Sequence, residues 1–184
     1  MTQLRRWRRR TLGRERRTSW LAVEEGQTML AGMAAGAVMG IVAILCAAIG
    51  GESPIMPFRL AAGVILHDIR RAQPVWLAVP IGAAVHFALC TVYGFFWGLL
   101  MTDENGRHRG SRAFQAAMGM ALGLAIYLLN IQVIARFWYP SFLNLPQLVL
   151  AAIHVLAFGL PLGLLSPIAD RRARQKISTT RVTT

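Results

Sequence analysis

Two histidines lie inside long apolar stretches of this chain, and each follows two alanines and a β-branched residue. The strings are Ala83-Ala84-Val85-His86 and Ala151-Ala152-Ile153-His154, and the apolar sequence after each contains glycine and ends in Gly-Leu-Leu. An ionisable side chain at membrane depth is costly and by default indicates a functional site. We favour a structural role, in which each imidazole bonds a neighbouring helix. The alternatives are axial ligation of a haem b iron by both histidines and the handling of a proton or substrate.

The lengths of the apolar stretches predict four transmembrane helices. Hydrophobic residues make up 55% of the chain and charged residues 15%, and ~20 apolar residues in a helix cross a hydrocarbon core. The four stretches cover residues 27–50, 75–101, 113–135 and 146–168. The sequence therefore predicts an all-α membrane protein with a transmembrane domain at 27–168, a basic arm at 1–26 and a basic tail at 169–184.

Basic residues are distributed unevenly between the connecting segments. Most of the 20 lysines and arginines lie in the arm, in the tail and between the second and third stretches. Because cytoplasmic segments of membrane proteins carry an excess of these residues, both termini are predicted to lie in the cytoplasm of a bacterium, with the chain in its inner membrane. The arm is predicted to attract anionic lipid headgroups rather than nucleic acid. Its arginines include Arg5, Arg6, Arg8, Arg9 and Arg10.

The connection between the first two stretches, at 51–74, contains an amphipathic pattern. Its more polar positions recur every three or four residues: Arg59, Gly63, His67 and Arg70. The apolar positions between them are Phe58, Ala61, Ala62, Ile65 and Ile69. This pattern predicts a helix in the outer membrane interface. A re-entrant segment and a segment that covers a partner subunit are the alternatives.

Glycines at four-residue spacing indicate close helix packing. The first stretch contains Gly32, Gly36 and Gly40, and the third contains Gly119 and Gly123. Small residues at this spacing allow helix backbones to approach each other in lipid. Each glycine-bearing stretch precedes a loop and then a histidine-bearing stretch. The sequence therefore predicts two repeated hairpins, related as a parallel repeat about the membrane normal.

The residue types within the four apolar stretches exclude several classes of function. Their interiors lack aspartate and glutamate, which argues against a cation-coupled carrier built from this chain alone. A phosphate-binding glycine loop, a nucleophile elbow and an HExxH motif are also missing, so we expect no enzyme. We expect an accessory, assembly or packing subunit of a larger membrane complex, without a cofactor, bound to other membrane subunits or to itself. The alternatives are a bis-histidine haem b electron-transfer protein and a small homo-oligomeric transporter or channel.

The layout resembles small, uncharacterised four-helix bacterial inner-membrane proteins from families of unknown function. The resemblance rests on the glycines of the first stretch, the loop helix from Phe58 to Arg71, and the segments AVHFALCTVYGFFWGLL and AIHVLAFGLPLGLL. It covers about Gly32 to Pro167. It implies the four-helix architecture and brings no activity with it.

Overall fold

The computed structural model describes residues 2–66, 74–101 and 110–166, and it describes side chains from Gly26 onwards. Within these residues the chain forms five main helices. They are α1 (Thr2–Ile49), α2 (Met56–Leu66), α3 (Val75–Met101), α4 (Arg112–Trp138) and α5 (Gln147–Leu165). A short 3₁₀ helix, Pro140–Asn144, connects α4 to α5. The side chains of the predicted headgroup-binding arginines, the loop positions His67, Ile69 and Arg70, and the tail at 169–184 lie outside the described residues.

Four helical segments are long and apolar enough to cross a membrane. They are Gly26–Ile49, Val75–Met101, Arg112–Trp138 and Gln147–Leu165. The predicted all-α membrane fold with four spans is therefore confirmed. The helix bounds differ slightly from the predicted ones because local capping sets them. Ser111 is the N-cap of α4, where its Oγ accepts a hydrogen bond from the Phe114 amide at 3.2 Å, as a serine commonly does at this position.

The spans pack as two hairpins that then pack against each other. α1 lies against α3, α4 lies against α5, and α5 also contacts α1. The largest fully buried side chains include Trp97, Met101, Phe158 and Leu162, which place the core between the C-terminal halves of α3 and α5. Trp97 Nε1 donates a hydrogen bond to Ser166 Oγ there. The internal repeat itself stays a prediction.

Glycines bring the backbones of each hairpin into contact. A Cβ atom on Gly32 would lie 2.8 Å from the Gly94 Cα and closer still to the Cys90 carbonyl oxygen. In the second hairpin, a Cβ atom on Gly119 would lie 3.0 Å from the Gly163 amide nitrogen and closer to the Gly159 carbonyl oxygen. At both positions the contact to the carbonyl oxygen is too short for a real Cβ atom, so the helices approach this closely because these positions carry no side chain.

The remaining predicted packing glycines lie in different surroundings. A Cβ atom on Gly36 would lie 2.6 Å from Cys90 Sγ, and one on Gly123 would lie 3.0 Å from the His154 carbonyl carbon. Gly40 is different, because a Cβ atom there would meet only His86 Nε2, at 3.7 Å. That distance is an ordinary van der Waals contact. α1 and α3 therefore separate towards the end of α1.

α2 packs on α3 rather than standing apart from the bundle. A Cβ atom on Gly82 of α3 would lie 2.8 Å from the Phe58 Cα of α2, and Ala62 and Gly63 are buried. The sequence pattern places Gly63 on the polar face of α2 with the arginines. In the structure Gly63 is buried, because a residue without a side chain allows close packing. Ile65, by contrast, is 57% exposed. The position of α2 at a membrane interface stays a prediction.

α4 and α5 each contain a segment with π-helical hydrogen bonding. These segments are Leu128–Ala135 and Ile153–Gly159. Such segments are rare, and they occur frequently at functional sites because the wider turn changes which side chains point inward. One contains Asn130 and the other contains His154, and both border the same space.

Candidate functional site

A cavity of about 320 Å³ lies at the end of the bundle where α1 ends and α3 begins, and all five helices contribute to its walls. Most of its lining is aliphatic or aromatic. The side chains with a polar atom or a thiol are His86, Cys90, Tyr93, Asn130, Tyr139 and His154. No charged side chain lines it within the described part of the chain. The cavity is therefore suited to an uncharged molecule.

The connections between the helices cover one end of this cavity. Pro57 and Phe58 of α2 line it, as do Phe142 and Leu145 of the α4–α5 connection. Tyr139 Oη donates a hydrogen bond to the Val64 carbonyl oxygen at 3.0 Å, which joins that connection to α2. The cover is thus built from both hairpins.

His86 connects α3 to α1. Its Nε2 atom lies 2.8 Å from the Gly36 carbonyl oxygen. Because a carbonyl oxygen can only accept, Nε2 carries the hydrogen, and the neutral ring keeps Nδ1 as an acceptor. The same Nε2 lies 3.7 Å from Cys90 Sγ. This is the interhelical hydrogen bond that the structural interpretation expects of a histidine at this depth.

His154 forms its hydrogen bond within its own helix. Its Nδ1 atom lies 2.7 Å from the Leu150 carbonyl oxygen, so Nδ1 donates and Nε2 remains an acceptor. The ring is 7% exposed, and its centroid is 5.8 Å from that of Tyr127. The two histidines therefore line one cavity but bond differently, although they sit in matching strings.

The haem alternative fits this arrangement poorly. Axial ligation needs one nitrogen of each ring aimed at the iron from opposite sides. Nε2 of His86 donates to the α1 backbone and Nδ1 of His154 donates to Leu150. The two rings would have to ligate through different nitrogens, or His86 would have to give up its bond to Gly36. Ligation through Nε2 of both rings is therefore incompatible with the hydrogen bond between His86 and Gly36.

Tyr93 and Asn130 join α3 to α4 at the cavity wall. Tyr93 Oη lies 2.9 Å from Asn130 Oδ1 and 2.7 Å from Asn130 Nδ2. Asn130 therefore forms an interhelical hydrogen bond. Sequence reasoning missed Tyr93. Its spacing of seven residues from His86 places both on one face of α3, and that signal was available.

A second polar cluster fixes the start of α5 against α4. Gln132 Nε2 lies 2.6 Å from Tyr127 Oη and 2.9 Å from Gln147 Oε1. Gln147 Nε2 in turn donates to the Phe142 and Leu145 carbonyl oxygens, each at 2.9 Å. Sequence reasoning missed the roles of Tyr127 and Gln147. The cluster holds the connecting segment in place over the cavity.

Replacing Tyr93 with phenylalanine is expected to lower the free energy of unfolding by about 0.5–2 kcal/mol, the range of interhelical hydrogen bonds in membranes. The loss arises because the Asn130 amide keeps its cost of burial without its partner. The measurement is a double-mutant cycle with Asn130→Leu, read by unfolding in mixed detergent. The double variant should cost less than the sum of the single ones. Strict additivity would show that the two side chains do not interact.

No family model matches this chain, and no curated protein or solved structure shows significant similarity to it. The four apolar helices fit a multi-pass membrane protein. The resemblance to uncharacterised four-helix inner-membrane proteins stays a prediction.

Proposed function

We propose that this protein is an accessory, assembly or packing subunit of a larger membrane complex and performs no catalysis of its own. The observation that carries the proposal is a row of exposed alanines on the outer face of α4. They recur at four-residue spacing as Ala113, Ala117, Ala121 and Ala125. We refer to these four residues as the alanine stripe.

The alanine stripe lies opposite the face that α4 uses inside the bundle. Gly119 and Gly123 are buried against α5. Three of the alanines, at 117, 121 and 125, are each two residues from one of these glycines, a rotation of about 200°, and Ala113 extends the row by one more turn. α4 therefore carries small residues on two opposite faces. One of these faces is already occupied by α5, and the other is exposed.

Small residues on an exposed face of a membrane helix indicate a contact with another helix. Lipid is as apolar as leucine, so helices associate through close packing, which alanine and glycine permit. The exposed face of α1 shows the contrast, because Leu30, Ile41 and Leu45 are 64%, 59% and 55% exposed there. Large side chains of that kind are suited to lipid. The alanine stripe is suited to a helix of another subunit or of a second copy.

The distribution of charge supports a location in a bacterial inner membrane with both termini in the cytoplasm. The arginine-rich arm belongs to α1, which continues from Thr2 into the first span without a break. In this proposal the arm meets anionic headgroups on the cytoplasmic side, and the alanine stripe faces the partner subunit within the bilayer.

Replacing Ala121 with leucine tests this role. We expect the native protein, extracted in mild detergent, to migrate as an assembly with a constant set of subunits in mass spectrometry. The variant should reduce recovery of that assembly by about tenfold, because overpacking a contact costs about 1–3 kcal/mol. Ala34→Leu, on the exposed side of α1, is the matched control and should leave recovery unchanged.

Two results would overturn the proposal. One is a native preparation that contains this chain alone as a monomer. The other is an Ala121→Leu variant that keeps its partners as well as the Ala34→Leu control does. A homo-oligomer that Ala121→Leu dissociates would identify the partner as a second copy.

A further inference from the structure

We propose that the cavity binds an uncharged amphiphile from the membrane, an alcohol whose hydroxyl donates a hydrogen bond to His154. The proposal goes beyond the subunit role and is independent of it. It follows from the size of the cavity, the lack of charged side chains among the described residues that line it, and the direction of the hydrogen bonds around it.

The volume limits the bound portion to a small molecule or one end of a lipid. A dry cavity of ~150 Å³ in another protein holds benzene, so a cavity of about 320 Å³ corresponds to roughly a dozen non-hydrogen atoms. A ten-carbon alcohol or a substituted single ring has this size. The apolar lining contributed by all five helices suits the body of such a molecule.

The lining excludes ions. Burying an unpaired carboxylate or ammonium costs far more than burying a hydroxyl, and the described residues place no counter-ion in the walls. The polar lining consists of imidazole, phenol and amide groups and one thiol. A neutral ligand is therefore the class that this surface can accept.

Hydrogen-bond direction identifies the polar group of the ligand. Most donors at the cavity are already used: Tyr139 donates to Val64, and Tyr93 and Asn130 bond each other, which leaves the second N–H of the Asn130 amide and the weak thiol donor of Cys90. Each histidine also uses its N–H on a backbone carbonyl. Each ring also keeps one unprotonated nitrogen, and these two nitrogens are the strong acceptors that remain. A ligand group that bonds either ring nitrogen must donate, as a hydroxyl does and as a ketone, ether or ester does not, and a hydroxyl can also accept from Asn130.

His154 is the better placed of the two acceptors. It lies in the π-helical segment Ile153–Gly159, in the wall of the cavity, and is 7% exposed. Its Nδ1–H···Leu150 bond fixes the tautomer that leaves Nε2 as acceptor. His86 has its ring held between α3 and α1 by Gly36, so the main role of that side chain is to connect the helices.

The experiment uses the full chain in lipid nanodiscs with decan-1-ol that carries a photoreactive diazirine. Competitors are unlabelled decan-1-ol, decane, decyltrimethylammonium and decanesulfonate, compared at equal mole fraction in the bilayer. We expect labelling of the cavity walls, mapped by peptide mass spectrometry. Decanol should compete about fivefold better than decane, the effect of one hydrogen bond, and the two ions should not compete.

Variants separate the cavity from the lipid-facing surface. Ala43→Leu places a larger side chain in the cavity wall and should abolish labelling, whereas the control Ala48→Leu, exposed on the same helix, should not change it. His154→Phe keeps a ring and removes the acceptor, so labelling should persist while the preference for decanol over decane disappears.

Several results would overturn the proposal. These are labelling outside the cavity, equal competition by either ion, equal labelling of Ala43→Leu and Ala48→Leu, or an unchanged decanol preference in a folded His154→Phe variant. If His154→Phe fails to fold, the competitor series in the native protein decides alone, since decane competing as well as decanol would rule out recognition of the hydroxyl.

Discussion

Replacing Gly32 with alanine should push α1 away from α3 and lower the free energy of unfolding by about 3 kcal/mol, at the upper end of the usual cost of overpacking. The added Cβ atom would lie 2.8 Å from the Gly94 Cα and nearer still to the Cys90 carbonyl oxygen. Both neighbours are backbone atoms, so no side chain can rotate to relieve the overlap. The helices themselves must shift.

Gly40 provides the matched control for this prediction. It lies on the same helix and in the same four-residue series, but its added Cβ atom would meet only His86 Nε2, at 3.7 Å. Gly40→Ala should therefore change the free energy of unfolding by less than about 0.5 kcal/mol. The measurement is reversible unfolding of each variant in mixed micelles, followed by circular dichroism. Equal losses for the two variants would contradict the close contact at Gly32.

Replacing Trp97 with alanine should cost about 3–5 kcal/mol, as emptying the site of a large buried aromatic does elsewhere. Trp97 is the largest of the side chains that are fully buried. Its removal would leave a void between α3 and α5. It would also remove the N–H group that donates a hydrogen bond to Ser166 Oγ. The loss is expected in packing rather than in transfer from water, because the surroundings of the bundle are themselves apolar.

Trp76 gives this prediction its control, because its side chain is 76% exposed at the start of α3. Trp76→Ala should change the midpoint of thermal unfolding in detergent by far less than Trp97→Ala. A third variant, Trp97→Phe, keeps most of the ring and loses the N–H group, so its midpoint should lie between the two. If Trp97→Ala and Trp76→Ala had the same midpoint of thermal unfolding, the core would have to lie elsewhere in the bundle.

The sequence predicts the four spans well because membrane helices must satisfy their backbone hydrogen bonds internally, so their length and apolar composition suffice. It also predicts that Gly32 and Gly40 belong to one series. It cannot show that α1 and α3 diverge between them, since spacing along one helix contains no information about the crossing angle with the next. The cavity begins at this divergence, next to Gly40.

The bonding of the two histidines was predictable only in part. Their depth indicates that each needs a partner, and His86 meets this expectation on α1. The partner of His154 is Leu150 in its own helix, which matching strings could not distinguish. The π-helical segments around Asn130 and His154 also could not be predicted. A uniformly apolar sequence has no periodicity that distinguishes π-helical from α-helical hydrogen bonding.

The different kinds of contact within and between the hairpins have a consequence for biosynthesis. Gly32 and Gly94 meet within the first hairpin, so α1 and α3 can associate as soon as both have been inserted. The Tyr93 hydroxyl and the Trp97 indole, however, find their partners Asn130 and Ser166 only on the second hairpin. Until α4 and α5 arrive, the first hairpin exposes two polar groups to lipid. A membrane chaperone or a quality-control protease would therefore recognise the protein most easily at this stage, when only its first hairpin has been inserted.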